Sequence, residues 1–172
     1  MKPASLKFCP RCGSIGYQYR DNKYWYCPVC LFTYYHNVAA SASVILPFGD
    51  SVLMLVRNRE PGIGLLALPG GFVDSRERAE EAAVRECLEE TGLAVSISSF
   101  VGSWPNEYIY RNVLYHTCDL YFSAFTAVST EGLSLDESEV SGYRLVPVGA
   151  IEEAPIAFES HRQALLAWRS RR

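Results

Sequence analysis

The sequence predicts an α/β protein, a curved mixed β-sheet with helices packed against it, preceded by a small β module. Three observations support this fold class. β-branched runs recur between turn residues, one long segment repeats apolar residues at helical spacing, and two Cys-x-x-Cys pairs lie near the N-terminus. The N-terminal stretch is rich in Cys and Tyr but poor in aliphatic residues. We therefore expect a small module over 1–36 and a main domain over 37–172.

Composition and charge exclude several classes of protein. Apolar residues form 49% of the 172 residues, which is enough to build a core and argues against disorder. The formal net charge of −3 gives no electrostatic case for wrapping nucleic acid or binding an anionic membrane. No segment reaches the roughly 20 apolar residues that span a bilayer, and the first residues lack the apolar core of a signal peptide. We therefore expect a cytoplasmic protein with reduced cysteines.

Strands are expected where β-branched and apolar residues run between turn signals. The segments 38–47 and 51–56 flank the turn 48–50, which predicts a hairpin. A loop over 57–64 and a short extended segment over 65–68 lead to Pro69-Gly70-Gly71. The remaining strands are expected over 93–101, 113–128 and 143–148, and an amphipathic helix over 156–169.

The segment 77–91 is the strongest helix prediction. An apolar stripe recurs at helical spacing along it, formed by Ala79, Ala82, Ala83, Cys87 and Leu88. Asp74 is a candidate N-cap, with Glu77 three residues on, and Gly92 is a candidate C-cap.

Four cysteines have the spacing of a zinc ribbon. Cys9 and Cys12 form one pair, Cys27 and Cys30 the other, and fourteen residues separate the pairs. Each pair can place two thiolates at neighbouring corners of a tetrahedron around zinc. A hairpin over 17–20 and 24–26 would join them. Four protein ligands would make a closed, structural zinc site.

Other interpretations of the cysteines are weaker. Four ordinary reduced thiols would not need ribbon spacing, and neither pair begins a helix as a redox Cys-x-x-Cys would. We interpret the nearby His36 as a surface or packing residue rather than a further ligand.

Three carboxylates are the candidate catalytic group. Glu86, Glu89 and Glu90 stand at i, i+3 and i+4 of the predicted helix and therefore share a face. Their mutual repulsion would be relieved by a divalent cation, and ligand sets made only of oxygen favour Mg²⁺ or Mn²⁺. The alternative without a function is a solvent-exposed acidic helix face, because runs of charged residues on a helix usually face solvent.

The residues before the helix strengthen the catalytic interpretation. Gly70 and Gly71 let the backbone approach a metal or phosphate closely, because glycine lacks Cβ. Glu77 and Arg85 lie about two helical turns apart and could form an ion pair that fixes the loop against the helix.

These residues together resemble the signature of the Nudix hydrolases. The stretch from Gly71 to Leu93 follows G-x5-E-x7-R-E-U-x-E-E-x-G-U, where U is a bulky apolar residue, at every fixed position. Cys87 occupies the first U position, where the family usually has Leu, Ile or Val. The motif covers 23 residues, and the flanking elements extend the resemblance over about residues 38–149. It implies the Nudix fold, in which a curved mixed sheet is sandwiched between helices.

The resemblance also implies a mechanism. Glu86, Glu89 and Glu90 are similar in position to the family's metal ligands, one of them also able to activate water, and the Gly70 carbonyl is a further ligand. Gly71, Glu77 and Arg85 would support the site. A later acid is expected at Glu139, with Glu137 as its rival. The reaction implied is metal-assisted hydrolysis of a diphosphate in a nucleoside diphosphate linked to another moiety.

The substrate is less well determined. A zinc ribbon before a Nudix domain resembles the NADH pyrophosphatases, which also carry Ser-Gln-Pro-Trp-Pro-Phe-Pro-x-Ser after the signature. The matching segment, 102–110, keeps Ser, Trp and Pro but in another order. Trp104, Tyr108 and Tyr110 could stack on a base or flavin, or equally pack in the core or at a dimer interface. Arg111, His116, Phe158, His161 and Trp168 are interpreted as surface or packing residues.

Three kinds of function compete. The leading one is an enzyme acting on a dinucleotide such as NADH, FAD or ADP-ribose. The others are a nucleotide-sensing Nudix regulator without turnover, and a hydrolase of RNA caps or nucleoside polyphosphates. Sparse basic residues in the ribbon make nucleic acid an unlikely partner. Family members often pair, so a homodimer is expected from the resemblance.

Overall fold

The structure, a computed structural model, describes residues 6–111 and 113–172. Eleven strands and two α-helices form in these residues. In chain order they are β1 (Gln18–Arg20), β2 (Tyr24–Tyr26), β3 (Thr33–Tyr35), β4 (Ala39–Ile45), β5 (Pro47–Phe48), β6 (Ser51–Arg57), β7 (Leu66–Ala67), β8 (Gly70–Phe72), α1 (Ala79–Thr91), β9 (Ser96–Tyr110), β10 (Val113–Phe125), β11 (Val140–Pro147) and α2 (Glu159–Arg169).

Two sheets build the main domain. The first has the strand order β8-β4-β10-β9, in which β4 and β10 run parallel and the other neighbours run antiparallel. The second has the order β11-β6-β5, with β7 also paired to β6. The hairpin predicted between 38–47 and 51–56 is present only at its tip, where β5 pairs with β6, because Ala39–Ile45 joins the first sheet as β4. The first sheet is therefore mixed, as the sequence predicts.

The core lies on both faces of the first sheet. Neighbouring residues on a strand point to opposite faces, and Tyr121 and Phe122 of β10 accordingly belong to two different buried clusters. The Tyr121 cluster includes Leu165 of α2, whereas the Phe122 cluster includes Ala83 of α1. Each helix thus covers one face of the sheet. The predicted α/β architecture, a mixed sheet sandwiched between helices, is confirmed.

Helix α1 begins later than the sequence predicts. The helix starts at Ala79, with Arg78 as its N-cap residue and the Glu81 carboxylate accepting the Arg78 backbone N–H over 2.9 Å. The predicted cap at Asp74 is wrong, because the Glu77 carboxylate accepts the Asp74 N–H and holds this segment as a separate turn. The predicted C-cap is confirmed, since Gly92 has φ 70° and its N–H bonds the Leu88 carbonyl.

Three further predictions needed correction. The glycines at 70–71 do not form a loop, because Gly70–Phe72 pairs with β4 as strand β8. The segment 102–110 does not leave the sheet either, since it continues β9, which pairs with β10 from Tyr110 to Ser96. The predicted helix over 156–169 is shorter and starts at Glu159.

The N-terminal module is a three-stranded antiparallel sheet, β1-β2-β3, that carries the cysteines at its ends. The hairpin between β1 and β2 follows the prediction, with Asp21 and Asn22 at positive φ in the turn. Strand β3 was not predicted. Tyr17 and Trp25 stack with ring centroids 5.5 Å apart and form the module's small core with Cys9 and Cys27. Neither helix of the described chain has the length and apolar character of a membrane span.

Candidate functional site

A cleft of about 320 Å³ lies where α1, both sheets and the start of α2 meet. The predicted carboxylates and their glycine neighbours share its lining with residues that the sequence did not single out. The residues used below that line it are Ser41, Arg59, Leu68, Gly70, Gly71, Phe72, Glu86, Glu89, Glu90, Asn106, Tyr108, Asp119, Glu139, Phe158 and His161.

Glu90 is anchored to the strand opposite α1. Its Oε2 accepts the backbone N–H of Gly70 over 2.9 Å. A Cβ on Gly70 would lie 2.4 Å from the Ala42 carbonyl oxygen, so only glycine permits this close strand packing. Burial raises the pKa of the Glu90 carboxyl to about 8, and the charges of Glu86 and Glu139 add to the shift. Glu90 is therefore a desolvated acid in an anionic environment.

Glu86 fills the space that Gly71 leaves open. A Cβ on Gly71 would lie 2.5 Å from the Glu86 carboxyl carbon, so this glycine is needed for the Glu86 side chain to enter the cleft. Burial raises the pKa of Glu86; the Arg85 guanidinium opposes the shift, and the charges of Glu89 and Glu139 add to it.

Arg85 and Glu77 form the ion pair that the sequence predicts. Arg85 Nε and Nη2 donate to the two Glu77 oxygens over 2.8 and 2.9 Å, a bidentate contact. The same guanidinium donates to the Phe72 carbonyl over 3.1 Å, which ties α1 to β8. Hydrogen bonding to Arg85 lowers the pKa of Glu77 to about 2. The pair therefore holds the turn after β8 against the helix.

Glu89 and Glu139 complete the acidic wall. Glu89 is more exposed than Glu86, with 58% of its side chain accessible against 15%, and it meets Arg85 Nη1 over 3.1 Å. Glu139 lines the cleft and pairs with Arg59. The rival acid Glu137 lies outside the cleft, in a neighbouring depression.

The acidic wall has the donor chemistry of a hard-cation site. In the described residues, the four cysteines are the one set of three or more metal-binding side chains whose ligand atoms all lie within 4.8 Å of one another. The carboxylates stand further apart, because Arg85 Nη1 contacts both Glu86 and Glu89 and Gly70 holds Glu90. Mg²⁺ keeps several waters, so ligands at such spacing fit it. A cation would also relieve the repulsion between Glu86 and Glu90.

The other side of the cleft is aromatic. Tyr108 lies with its ring centroid 5.6 Å from Phe72 and 5.9 Å from Phe158. Tyr110 does not line the cleft and lies beneath the Arg111 guanidinium. Trp104 packs edge-on against Tyr121 in the core, at 5.6 Å. Of the three aromatic residues singled out in the sequence, Tyr108 is the one placed to meet a ligand in this cleft.

Three functional candidates were missed by the sequence analysis. Phe158 and His161 line the cleft instead of only packing, whereas Trp168 packs in the core as expected. Asp119 lies at the cleft floor, 3% exposed, and accepts hydrogen bonds from Ser41 and Ser160 over 2.6 and 2.7 Å. These residues come from separate strands and a helix end, so no spacing signal marks them. Arg111 and His116 lie outside the cleft lining.

The cysteines form a compact tetrad. The Sγ atoms of Cys9 and Cys30 are 3.7 Å apart, as are those of Cys12 and Cys27. A tetrahedral zinc with bonds of about 2.3 Å would set its sulfurs about 3.8 Å apart, so the tetrad fits zinc. All six cysteines are free thiols. His36 is not part of the tetrad.

Comparison with known proteins agrees with this architecture. An ADP-ribose pyrophosphatase of Methanocaldococcus jannaschii is 39% identical over 72 residues, 42% of this chain and 43% of that protein. A NAD-capped RNA hydrolase NudC of Pseudomonas putida is 34% identical over 101 residues, 58% of this chain and 36% of that protein. The chain thus matches less than half the length of either relative.

Solved structures share the fold. A NUDIX hydrolase from Nitrosomonas europaea superposes with a TM-score of 0.76 at 23% identity, covering 97% of this chain and 92% of that one. The NUDIX domain of Shewanella oneidensis NrtR, solved with ADP ribose, gives 0.62 at 21% identity over 78% of this chain and 88% of its own. The family model described as the NUDIX domain matches residues 36–168. The chain therefore belongs to the NUDIX domain family.

Proposed function

We propose that this protein is a pyrophosphohydrolase that cleaves the diphosphate of a nucleoside diphosphate linked to another moiety. The observation that carries the proposal is the meeting of four carboxylates in one cleft, formed by Glu86, Glu89, Glu90 and Glu139. The preferred substrates are dinucleotides such as NADH or FAD, together with ADP-ribose, which shares their diphosphate linkage. The names of the relatives, an ADP-ribose pyrophosphatase and NAD-capped RNA hydrolases, support a substrate of this class.

The catalytic cation would be Mg²⁺ or Mn²⁺, held by Glu86, Glu89, Glu90 and the Gly70 carbonyl. When bound, such a cation would neutralise charge on the diphosphate and lower the pKa of a water molecule positioned to attack phosphorus. The chain supplies the oxygen ligands and excludes bulk water from Glu90. The proton of the attacking water has two candidate acceptors in the cleft, Glu86 and Glu90. Burial raises the pKa of both carboxyl groups, which makes each carboxylate a stronger base than an exposed glutamate.

Other chain groups orient the substrate. Tyr108 and Phe158 offer a surface on which a planar ring can stack, an interaction that tolerates different bases. Arg59 neutralises Glu139 and lies at the cleft, so it is available to contact a phosphate when a cation engages that acid. The products would be a nucleoside monophosphate and a phosphorylated partner.

The N-terminal tetrad would hold one structural zinc through Cys9, Cys12, Cys27 and Cys30. Four protein sulfurs leave no open position for substrate. We keep the division into a ribbon over 1–36 and a catalytic domain over 37–172. A cytoplasmic location and a homodimer belong to the same proposal; free thiols at all six cysteines suit a reducing compartment.

A second substrate is supported by one comparison. The matches to NAD-capped RNA hydrolases extend over 101 residues, 58% of this chain, at 34% and 35% identity. A NAD cap contains the same diphosphate linkage as free NAD. The affinity of a protein for RNA depends strongly on how many RNA phosphates its basic residues neutralise. Because this chain has a formal net charge of −3, the free dinucleotide is the favoured substrate.

A substrate panel tests the proposal. The protein would be incubated with Mg²⁺ and ADP-ribose, NADH, FAD or NAD-capped RNA, followed by a phosphatase that releases phosphate only from monoester products. We expect phosphate from at least one free dinucleotide, and none from Glu90→Gln. Cleavage of the capped RNA alone would replace the substrate assignment. Tight binding of a dinucleotide without any product would instead favour a nucleotide sensor.

A further inference from the structure

His161 occupies the inner end of the cleft and has a fixed orientation. Its ring is 6% exposed and packs against Tyr121 and Phe158, with centroids 5.4 and 5.1 Å away. The preceding residue, Ser160, donates to Asp119 over 2.7 Å, and Ser41 of β4 donates to the same carboxylate. This network ties the first turn of α2 to two strands of the sheet and so positions the imidazole.

The hydrogen bonding of His161 determines its tautomer. The Leu68 backbone N–H donates to Nδ1 over 3.0 Å, so Nδ1 carries a lone pair and the ring proton belongs to Nε2. Burial favours the neutral imidazole and lowers the His161 pKa to about 4, although the Asp119 charge opposes the shift. The ring is therefore a neutral donor at physiological pH.

Nε2 has no acceptor among the described residues of the chain. The one buried side-chain nitrogen or oxygen without a partner there is the Tyr17 hydroxyl, in the N-terminal module. The His161 Nε2–H is thus not sealed within the protein, and the ring lines the cleft. The Nε2–H of His161 is therefore a fixed donor that can form a hydrogen bond with an acceptor atom of a ligand in the cleft.

The surroundings of His161 select the kind of acceptor. The Phe158 ring, against which His161 packs, lies 5.9 Å from the Tyr108 ring, and the Arg57 guanidinium lies 5.0 Å from the Phe158 ring centroid. Asp119 adds a negative charge beneath the imidazole. Arg57 brings an opposing positive charge to the same part of the cleft, so the aromatic rings rather than a net charge select the ligand, and they suit an uncharged planar ring with an acceptor atom at its edge.

We propose that His161 is a substrate-binding residue that donates from Nε2 to an acceptor atom on the base of the nucleotide. This inference deepens the proposed hydrolase function and rests on it for the identity of the ligand. A purine offers such acceptors at its ring nitrogens, so the adenine of an adenine nucleotide is the ligand class assigned.

Two substitutions separate the two nitrogen atoms of His161. In His161→Asn, the side-chain oxygen can replace Nδ1 as acceptor for the Leu68 N–H, but the donor at Nε2 is lost. In His161→Gln, the longer amide can place an N–H near the Nε2 position, while the Leu68 N–H loses its partner. We therefore expect the asparagine variant to keep its stability and lose ligand affinity, and the glutamine variant to show the reverse.

Binding of AMP and of ribose 5-phosphate, measured by calorimetry with Mg²⁺ present, supplies the test. We expect His161→Asn to weaken AMP about tenfold, the factor that corresponds to about 1.4 kcal/mol. Ribose 5-phosphate, which has no base, should bind both proteins equally, and His161→Gln should stay within about threefold of wild type for AMP. Unchanged AMP affinity in His161→Asn, or equal weakening of both ligands, would overturn the assignment.

The tautomer has its own readout, which does not depend on turnover or on either variant folding. Long-range ¹H–¹⁵N spectra of the wild-type protein should show the His161 proton on Nε2 and a perturbation of that nitrogen when AMP is added. A proton on Nδ1, or no response of Nε2 to AMP, would refute the inference. If the wild-type protein hydrolysed no dinucleotide, the proposed function would be refuted instead. The binding experiments would still decide the role of His161.

Discussion

The carboxylate of Glu90 accepts the backbone N–H of Gly70 over 2.9 Å, which joins the last turn of α1 to strand β8. The contact holds the acid in the cleft without neutralising it. Burial therefore dominates, and the Glu90 pKa rises to about 8 in the absence of a cation. The acidic wall should therefore destabilise the folded protein, and binding of a divalent ion should remove this destabilisation.

Replacement of Glu90 by Gln should stabilise the protein in a chelating buffer at alkaline pH. A carboxyl with a raised pKa binds more protons in the folded than in the unfolded chain, so stability falls as pH rises from about 4.5 to about 8. Glutamine removes the charge and keeps an acceptor for Gly70. At pH 9 the Tm of Glu90→Gln should exceed that of wild type by at least about 2–4 °C, the shift that about 1 kcal/mol produces at this size.

The matched control is Glu80→Gln, which removes an exposed acid from the same helix. It should leave the pH dependence of Tm unchanged, and Mg²⁺ should raise the Tm of wild type at pH 9 but not that of Glu90→Gln. A wild-type Tm that stays flat from pH 5 to 9 in chelator would show that Glu90 is not the desolvated acid described.

Replacement of Gly71 by Ala should remove activity while preserving the fold. The new Cβ would lie 2.5 Å from the Glu86 carboxyl, which must turn away because the strand backbone is held by β4. We expect kcat to fall by roughly 10²-fold or more, the scale of a misplaced catalytic group, with a small change in Tm. Gly149→Ala has open space around its Cβ and is the control. Equal kcat in the two variants would contradict the role given to Gly71.

The sequence predicted the acidic face of α1 because helical periodicity alone brings Glu86, Glu89 and Glu90 together. It did not predict strand β8, because glycine has low strand propensity and the pairing of Gly70 with Ser43 depends on tertiary packing. The N-cap at Asp74 was wrong for a related reason. The sequence places Glu77 in the helix, whereas Glu77 lies in the turn before α1. There it accepts the Asp74 N–H and pairs with Arg85 of the helix.

The inner end of the cleft could not be predicted from spacing. Asp119 lies within a largely apolar strand and His161 among the polar residues at the start of α2, and neither setting distinguishes a binding residue from a packing one. Their proximity depends on the parallel pairing of β4 with β10, which aligns Ser41 with Asp119, and on the docking of α2. For Trp104 the sequence left stacking on a ligand and packing in the core equally open, and its ring packs against Tyr121.

Replacement of Cys27 by Ser should abolish the binding of zinc. The Cys27 thiol is buried with Cys9, and its sulfur lies 3.7 Å from that of Cys12. Metal analysis of purified protein should find one zinc per chain in wild type and in Cys118→Ser, a change at an exposed thiol outside the tetrad. In Cys27→Ser the zinc content should fall to near zero. A full zinc content in that variant would refute the assigned ligand set.

Replacement of Tyr108 by Leu should raise the KM for a dinucleotide more than it lowers kcat. Tyr108 lines the cleft, and base stacking on an aromatic ring contributes about 1–3 kcal/mol, so a KM increase of roughly 5-fold or more is expected. Tyr110→Leu removes an aromatic ring outside the cleft lining and should leave KM unchanged. Equal effects of the two substitutions would assign substrate binding to another surface.

Manganese binding tests the central claim most directly, because it reports on the carboxylate site without requiring a substrate. Electron paramagnetic resonance would count the Mn²⁺ ions bound to wild type, to Glu80→Gln and to the double variant Glu86→Gln/Glu90→Gln. Wild type and Glu80→Gln should bind Mn²⁺ equally, whereas the double variant should lose that binding while remaining folded. Unchanged Mn²⁺ binding in the folded double variant would contradict the claim that these buried carboxylates form the metal site of the cleft.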